Sequence, residues 1–241
     1  MRLIINGANG RMGHMITKMA EDSGETIAAK VDITGAEYSS LESFTGDADC
    51  VIDFSNHKAT PEITAYCVKR NLPVLIASTG QTPEELAMIR EASQKIPVFL
   101  SPNMSIGVAL LTDLAEKVTR IFGSCDIELI EAHHNQKLDV PSGTALMLAN
   151  RIKEANENLT FNIGRHENGK RSGNEIGIHA LRYGSEVGTH EIIFSNGLET
   201  ITLKHDAKDR ALFAKGALSA VKWLVTQKPG LYNMKDFLAE A

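Results

Sequence analysis

The chain has 241 residues, 43% of them hydrophobic and 23% charged, with a formal net charge of −5. That length supports one large domain or two modest ones, with usual domain size favouring two, and the composition is that of an ordinary globular protein whose negative charge argues against nucleic acid as a main partner. No run approaches the roughly 20 apolar residues of a membrane span, and Cys50, Cys67 and Cys125 are too widely spaced for a disulfide framework or a zinc site, so no membrane, no metal and a reducing cytoplasm are expected.

Arg2 to Asn6 is a short apolar run, followed by Gly7, Gly10 and Gly13 and then by Met15, Ile16, Met19 and Ala20 at helical spacing. The sequence enters this strand directly, without the pattern of a secretory leader. Strand, glycine turn and helix bring backbone amides and a helix dipole to a pyrophosphate. A second strand over 26–31 ends at Asp32, where an acidic residue holds the ribose of a bound dinucleotide. The glycine spacing is Gly-x-x-Gly-x-x-Gly rather than Gly-x-Gly-x-x-Gly. Asn9 stands in the middle place, and Asn tolerates positive φ better than most residues.

The rhythm repeats with strands predicted over 49–54, 72–77 and 97–100. Helices are expected over 60–68, with Pro61 first, and over 83–93. Alternating strands and helices predict a doubly wound parallel α/β sheet of Rossmann type, with ligands beyond the carboxyl ends of the strands. The small or polar segments 53–55, 77–80 and 101–104 fall there, although each also reads as ordinary loop composition.

After Met104 the pattern changes. An amphipathic helix is expected over 105–122, then a strand over 126–131 that delivers His133 and His134 at its end. Ser142 is a favoured N-cap for a helix over 142–155. Period-two strands follow over 176–182, 189–194 and 199–204, and a helix over 212–225. This predicts a second, mixed α+β domain. The charged loop 164–174 reads as a solvated surface or a site cover. Arg182 reads equally as an anion ligand or a surface pair. His166, His179, His190 and His205 carry no recognisable ligand spacing.

The segment Glu131-Ala-His-His-Asn-Gln-Lys-Leu-Asp-Val-Pro-Ser-Gly-Thr-Ala145 concentrates the chemistry. It joins titrating imidazoles, an ammonium at Lys137, and backbone amides of a helix start at Gly143 and Thr144 that favour a carboxylate or phosphate. Each part also has a structural reading. Adjacent strand histidines point to opposite faces and do not easily share a metal, Lys137 and Asp139 read as an exposed loop pair, and Pro-Ser-Gly is common turn chemistry.

This segment closely resembles the signature of the dihydrodipicolinate reductase (4-hydroxy-tetrahydrodipicolinate reductase) family, nicotinamide-dependent enzymes of bacterial lysine and diaminopimelate synthesis, and the resemblance covers nearly the whole chain. It implies His133 as general acid/base, Lys137 as a second proton donor, and His134, Gly143 and Thr144 as binders of a substrate carboxylate. It implies NADH or NADPH held by Gly7, Ala8, Asn9, Gly10, Arg11, Met12 and Asp32, by Ala77, Ser78 and Thr79, and by Ser101, Pro102, Asn103 and Met104. Residues 1–104 plus 211–241 would form the dinucleotide domain and 105–210 the substrate-binding and oligomerisation domain of a homotetramer. Rival readings are an aspartate or homoserine dehydrogenase, a nucleotide-sensing module without turnover, and a metal-dependent hydrolase using Glu131 and His133, which share a strand face. Asp32 followed by Ile33 favours NADH, while Arg11 and Lys30 temper the exclusion of NADPH.

Overall fold

A computed structural model describes residues 1–240. Arg2–Asn6 forms strand β1, with Leu3, Ile4 and Ile5 fully buried, as expected of a parallel strand covered by helices on both faces. The chain continues through helix α1 (Arg11–Asp22), β2 (Thr26–Val31), β3 (Cys50–Asp53), α2 (Thr60–Arg70), β4 (Val74–Ile76), α3 (Pro83–Ser93) and β5 (Pro97–Leu100). Local chemistry fixes the helix ends. Thr82 and Glu85 make a reciprocal capping box at α3, and Asn71 stops α2 in the left-handed region at φ 52°. Helix α2 therefore starts at Thr60, one residue before Pro61, and runs two residues beyond the sequence expectation.

Then come α4 (Ile106–Phe122), β6 (Asp126–His133), α5 (Gly143–Ala155), β7 (Thr160–Ile163), β8 (Glu175–Arg182), β9 (Gly188–Ser195), β10 (Thr200–Ala207), α6 (Ala211–Leu224), β11 (Gly230–Tyr232) and α7 (Met234–Ala239). The chain divides into two compact units, one made of residues 1–106 and 211 onward, the other of residues 107–210. In the first, six strands pair in the order β11-β5-β4-β3-β1-β2, all parallel. The order reverses between β1 and β3, so a crevice opens there beyond their carboxyl ends. One sheet face buries Ile4, Val51, Val74 and Val98 against Ile63, Tyr66, Cys67 and Ile89 of α2 and α3. Trp223 of α6 packs edge-on against Phe99, Tyr232 and Phe237, which ties β11 and α7 to this unit.

The second unit is a mixed sheet in the order β10-β9-β6-β8-β7. Ile127, Leu129, Ile176, Ile178, Ile192 and Phe194 face Leu111 and Ala115 of α4 and Ala145, Leu148 and Ile152 of α5. Burying each of the Leu, Ile and Phe side chains among them contributes roughly 1.5–3 kcal/mol. Strand β6 is central and so carries its last residues, Glu131 to His133, into the interior. The doubly wound sheet and the mixed second unit are the fold class expected from the sequence. The three cysteines are buried free thiols. Among the described residues no helix is long and apolar enough to cross a membrane.

Candidate active site

At the crest of the first sheet, Gly7 sits at φ +79°, and a Cβ there would come within 2.8 Å of the Phe54 and Ser55 backbone. A Cβ on Gly13 would meet the Gly7 carbonyl at 2.1 Å, so α1 lies against the loop only because position 13 is glycine. Gly10 is the N-cap and no side chain caps α1, which leaves its first amides suited to an anion. The turn does not depend on a left-handed Asn9, since Asn71 is the one non-glycine residue of positive φ among those described. Asn9 acts through its hydrogen bonds instead. Its amide donates to Asp32 Oδ2 at 3.1 Å, and its side chain donates to the Thr34 carbonyl. The Asp32 carboxylate also accepts from Thr34 N at 3.3 Å, so it organises the turn as well as facing the crevice. A cavity of about 620 Å³ lies here, lined by Gly7, Gly10, Asp32, Ile33, Ser55 and Lys58 among others. Its size, the uncapped helix and the close glycine approach fit a dinucleotide.

The neighbouring strand ends are bound together by Asp53, which is fully buried. Its Oδ1 accepts from Asn6 Nδ2 at 2.8 Å and from Ser55 Oγ at 2.5 Å, and its Oδ2 accepts from Ser78 Oγ at 2.8 Å. Burial pushes the Asp53 carboxyl up, and these donors pull against it without cancelling it. Ser78 is therefore inward-facing, whereas Thr79 is exposed and Ala77 half-buried. In the loop after β5, Ser101 Oγ donates to the Asn103 carbonyl at 2.7 Å, Asn103 Oδ1 accepts from Ser105 N at 2.8 Å, Pro102 is exposed and Met104 buried. Arg11 is exposed and Met12 half-buried beside Gly10.

In the second unit the end of β6 carries a carboxylate–imidazole pair, Glu131 and His133. Glu131 and His133 are two residues apart on a strand and so share a face. Glu131 Oε2 lies 2.6 Å from His133 Nδ1, and Arg182 clasps both carboxylate oxygens at 2.8 Å from β8. Burial pushes Glu131 up, but Arg182, His133 and the Ser142 amide outweigh it and hold the carboxyl below its ordinary value. Burial is also the largest influence on His133 and lowers its pKa. Glu131 opposes that effect, and the charges of Lys137 and Arg182 reinforce it. The buried ring beside two cations favours the neutral form of His133. Arg182 is a carboxylate partner inside the protein rather than a surface pair. With its carboxylate spent on these donors, Glu131 has little to offer a metal, and among the described residues no three His, Cys, Asp or Glu side chains group as ligands.

His134 points away from His133. Its amide donates to the Glu186 carbonyl at 2.8 Å, and its Nε2 lies 3.3 Å from Arg210 Nη2. Lys137 Nζ pairs with Asp139 at 2.9 Å, and the Lys137 side chain is only 22% exposed. Burial pushes Asp139 up, but Lys137 and the amides of Asp139 and Gly143 prevail and lower it. An internal carboxylate thus already sits between the ammonium and the α5 N-terminus. Ser142 caps α5 by accepting from Ala145 N at 3.1 Å, and Gly143, bare of side chain, lies exposed at that end with Thr144 half-buried.

His190, passed over for want of ligand spacing, belongs to this cluster. Its Nε2 lies 3.1 Å from Ser142 Oγ and its ring meets His133 edge-on at 5.3 Å. Neither partner is near it in sequence, and only the β6–β9 pairing of Glu131 with His190 reveals it. Burial, with the nearby His133 adding to it, lowers the His190 pKa from 6.5 to about 4. Its folded pKa lies below the unfolded value, so this stability is present above pH 6.5 and is lost as pH falls toward about 4. At about 1.4 kcal/mol per pH unit the loss reaches up to about 3 kcal/mol. Urea unfolding of wild type and His190→Gln across that range is expected to show a shallower decline in the variant. Parallel declines would remove His190 as the cause.

A doubly wound sheet with a dinucleotide-sized crevice, and a buried carboxylate–imidazole pair beside an ammonium and a helix N-terminus, define a nicotinamide-dependent oxidoreductase. The chain belongs to the dihydrodipicolinate reductase family. Residues 1–104 match the family description dihydrodipicolinate reductase, N-terminus, and residues 107–238 match dihydrodipicolinate reductase, C-terminus. Its relatives include the 4-hydroxy-tetrahydrodipicolinate reductase of Caldanaerobacter subterraneus subsp. tengcongensis, 44% identical over 99% of this chain and 98% of that one. That of Clostridium novyi is 43% identical over 98% of both. The dipicolinate-bound dihydrodipicolinate reductase of Paenisporosarcina sp. TG-14 superposes with a TM-score of 0.79 at 26% identity, covering 96% of this chain and 97% of that one. An aspartate dehydrogenase of Thermotoga maritima, at 13% identity and a TM-score of 0.52 over 95% and 98% of the two chains, shares the fold alone.

Proposed function

We propose that the protein reduces 4-hydroxy-tetrahydrodipicolinate to tetrahydrodipicolinate, with loss of water, in the synthesis of diaminopimelate and lysine. The carrying observation is the placement, within fifteen residues, of the Glu131–His133 pair, the Lys137 ammonium and the α5 N-terminus, in a member of this family. Residues 1–104 plus 211–241 serve as the dinucleotide domain and 105–210 as the substrate-binding and oligomerisation domain. Bound NADH or NADPH supplies the hydride. The turn from Gly7 to Met12, with Asp32, holds the pyrophosphate and ribose. Residues 77–79 and 101–104 meet the nicotinamide end.

His134 and the amides of Gly143 and Thr144 bind a substrate carboxylate, as the α5 end already engages that of Asp139. Hydride addition to a conjugated imine leaves negative charge on carbon or nitrogen. Lys137 stabilises that charge and donates a proton, and His133 acts through Nε2 as acid/base, its protonation favoured once a dicarboxylate brings negative charge beside it. The assembly is a cytoplasmic homotetramer. The number of copies follows the family resemblance, and the second sheet's face away from α4 and α5, where Ile130 and Ile193 are only half-buried and Leu181 is 50% exposed, offers an apolar surface for self-association. A steady-state assay with enzymatically generated substrate tests the reading, and absence of turnover with both cofactors would end it.

Cofactor choice turns on Asp32, since a ribose-binding carboxylate repels a 2′-phosphate. Ile33 beside it is 89% exposed and offers no cation, although Arg11, Lys30 and Lys58 stand nearby in sequence or in the cavity wall. Dual use with NADH equal or preferred is expected. Asp32→Ser with Ile33→Arg should move the ratio of kcat/KM toward NADPH by about 1–3 kcal/mol, the scale of one or two charge-assisted hydrogen bonds. Because Asp32 also holds Asn9 and Thr34, the double variant should lose some affinity for both cofactors. An unchanged ratio would assign discrimination to the nearby cations.

A further inference from the structure

Glu131 is fully buried and every group around its carboxylate is a donor. Oε1 accepts from Arg182 Nη2 at 2.8 Å and Ser142 N at 3.1 Å, and Oε2 faces Arg182 Nη1 at 2.8 Å and His133 Nδ1 at 2.6 Å. An ionised carboxylate only accepts, so the proton between Glu131 and His133 resides on Nδ1. The lone pair, or the proton to be transferred, is then confined to Nε2. On another side of the ring His190 packs edge-on at 5.3 Å, and a Cβ on Gly188 would stand 3.0 Å from Nε2, so glycine at that position leaves the nitrogen room that a side chain would crowd.

We infer that Glu131, clamped by Arg182 and the Ser142 amide, is a positioning residue. It fixes the tautomer of His133 and aims Nε2 at the substrate. The inference rests on the reading of His133 as the acid/base. Such partners of a functional imidazole commonly contribute a 10- to 100-fold effect by fixing its tautomer and orientation, as they do at metal-bound histidines.

Loss of the Glu131 charge would strand Arg182, so Glu131→Gln risks misfolding. Glu131→Asp keeps the charge for Arg182 but withdraws the carboxylate by one methylene from His133. The test is a double-mutant cycle of Glu131→Asp and His133→Gln, read as kcat with substrate and NADH, alongside NADH affinity and the thermal midpoint. The expected result is a fall in kcat of about 10- to 100-fold for Glu131→Asp in the wild-type background and less than about 2-fold in the His133→Gln background, with NADH affinity unchanged. A wild-type kcat in Glu131→Asp would overturn the role. So would an equal fall in both backgrounds, which would mark Glu131 as a support of the fold only. Wild-type turnover in His133→Gln alone would instead remove the acid/base reading on which the inference stands.

Discussion

Replacing His133 by Gln is expected to lower kcat by about 10² to 10⁴, the usual contribution of a positioned general acid or base, or about 3 to 5.5 kcal/mol of barrier. Gln retains a polar group at the end of β6 but cannot exchange a proton near neutral pH. The fold should tolerate the change. Glu131 would keep Arg182 at 2.8 Å on both oxygens and the Ser142 amide at 3.1 Å, so no buried charge is left alone. The residues proposed for the dinucleotide are untouched, and NADH affinity should stay near wild type. Single-turnover and steady-state rates would separate a lost proton transfer from slow product release. A variant turning over at the wild-type rate would take His133 out of the mechanism.

The parts of this molecule legible in sequence are those whose signal is local. Gly7, Gly10 and Gly13 follow an apolar run and precede a helical stripe, and Ser142 precedes another, so the glycine turn and the α5 cap could be read directly. His133 and Glu131 could be placed on one face because a strand alternates strictly. What escaped depends on pairing across the chain. Arg182 meets Glu131 only because β8 runs beside β6, and His190 reaches Ser142 and His133 only because β9 does. Nor does local sequence show that Asp53 gathers Asn6, Ser55 and Ser78, since three separate strands bring them together. Strands β7 and β11 were missed for a different reason. With four and three residues, partly exposed, they carry too little alternation to stand out from loops. Asn9 was read for its tolerance of positive φ, when its contribution is a pair of hydrogen bonds to Asp32 and Thr34.

Lys137→Ala is expected to damage binding and turnover together. Lys137 already holds one carboxylate, that of Asp139, at 2.9 Å; the Lys137 side chain is 22% exposed but that of Asp139 is 57% exposed, so water screens this pair and a competing anion can displace it. A substrate carboxylate or developing anion in the same place gains a charge-assisted hydrogen bond of about 1.5–3 kcal/mol, so KM should rise roughly 10- to 100-fold. If the ammonium also gives up its proton, kcat should fall by a further 10² to 10⁴ or so. Arginine separates the two contributions. Its guanidinium keeps the charge and binds carboxylates well but does not release a proton at physiological pH, and its planar fork cannot occupy the position of a compact ammonium. Lys137→Arg should therefore recover much of the KM while kcat stays low. Asp139 sharpens the expectation, because arginine can clasp it with two hydrogen bonds and hold the loop closed against substrate, which would leave part of the KM defect in place. The measurements are KM and kcat for both variants under saturating NADH. An arginine variant with full kcat would reduce Lys137 to a charge and leave the proton to His133.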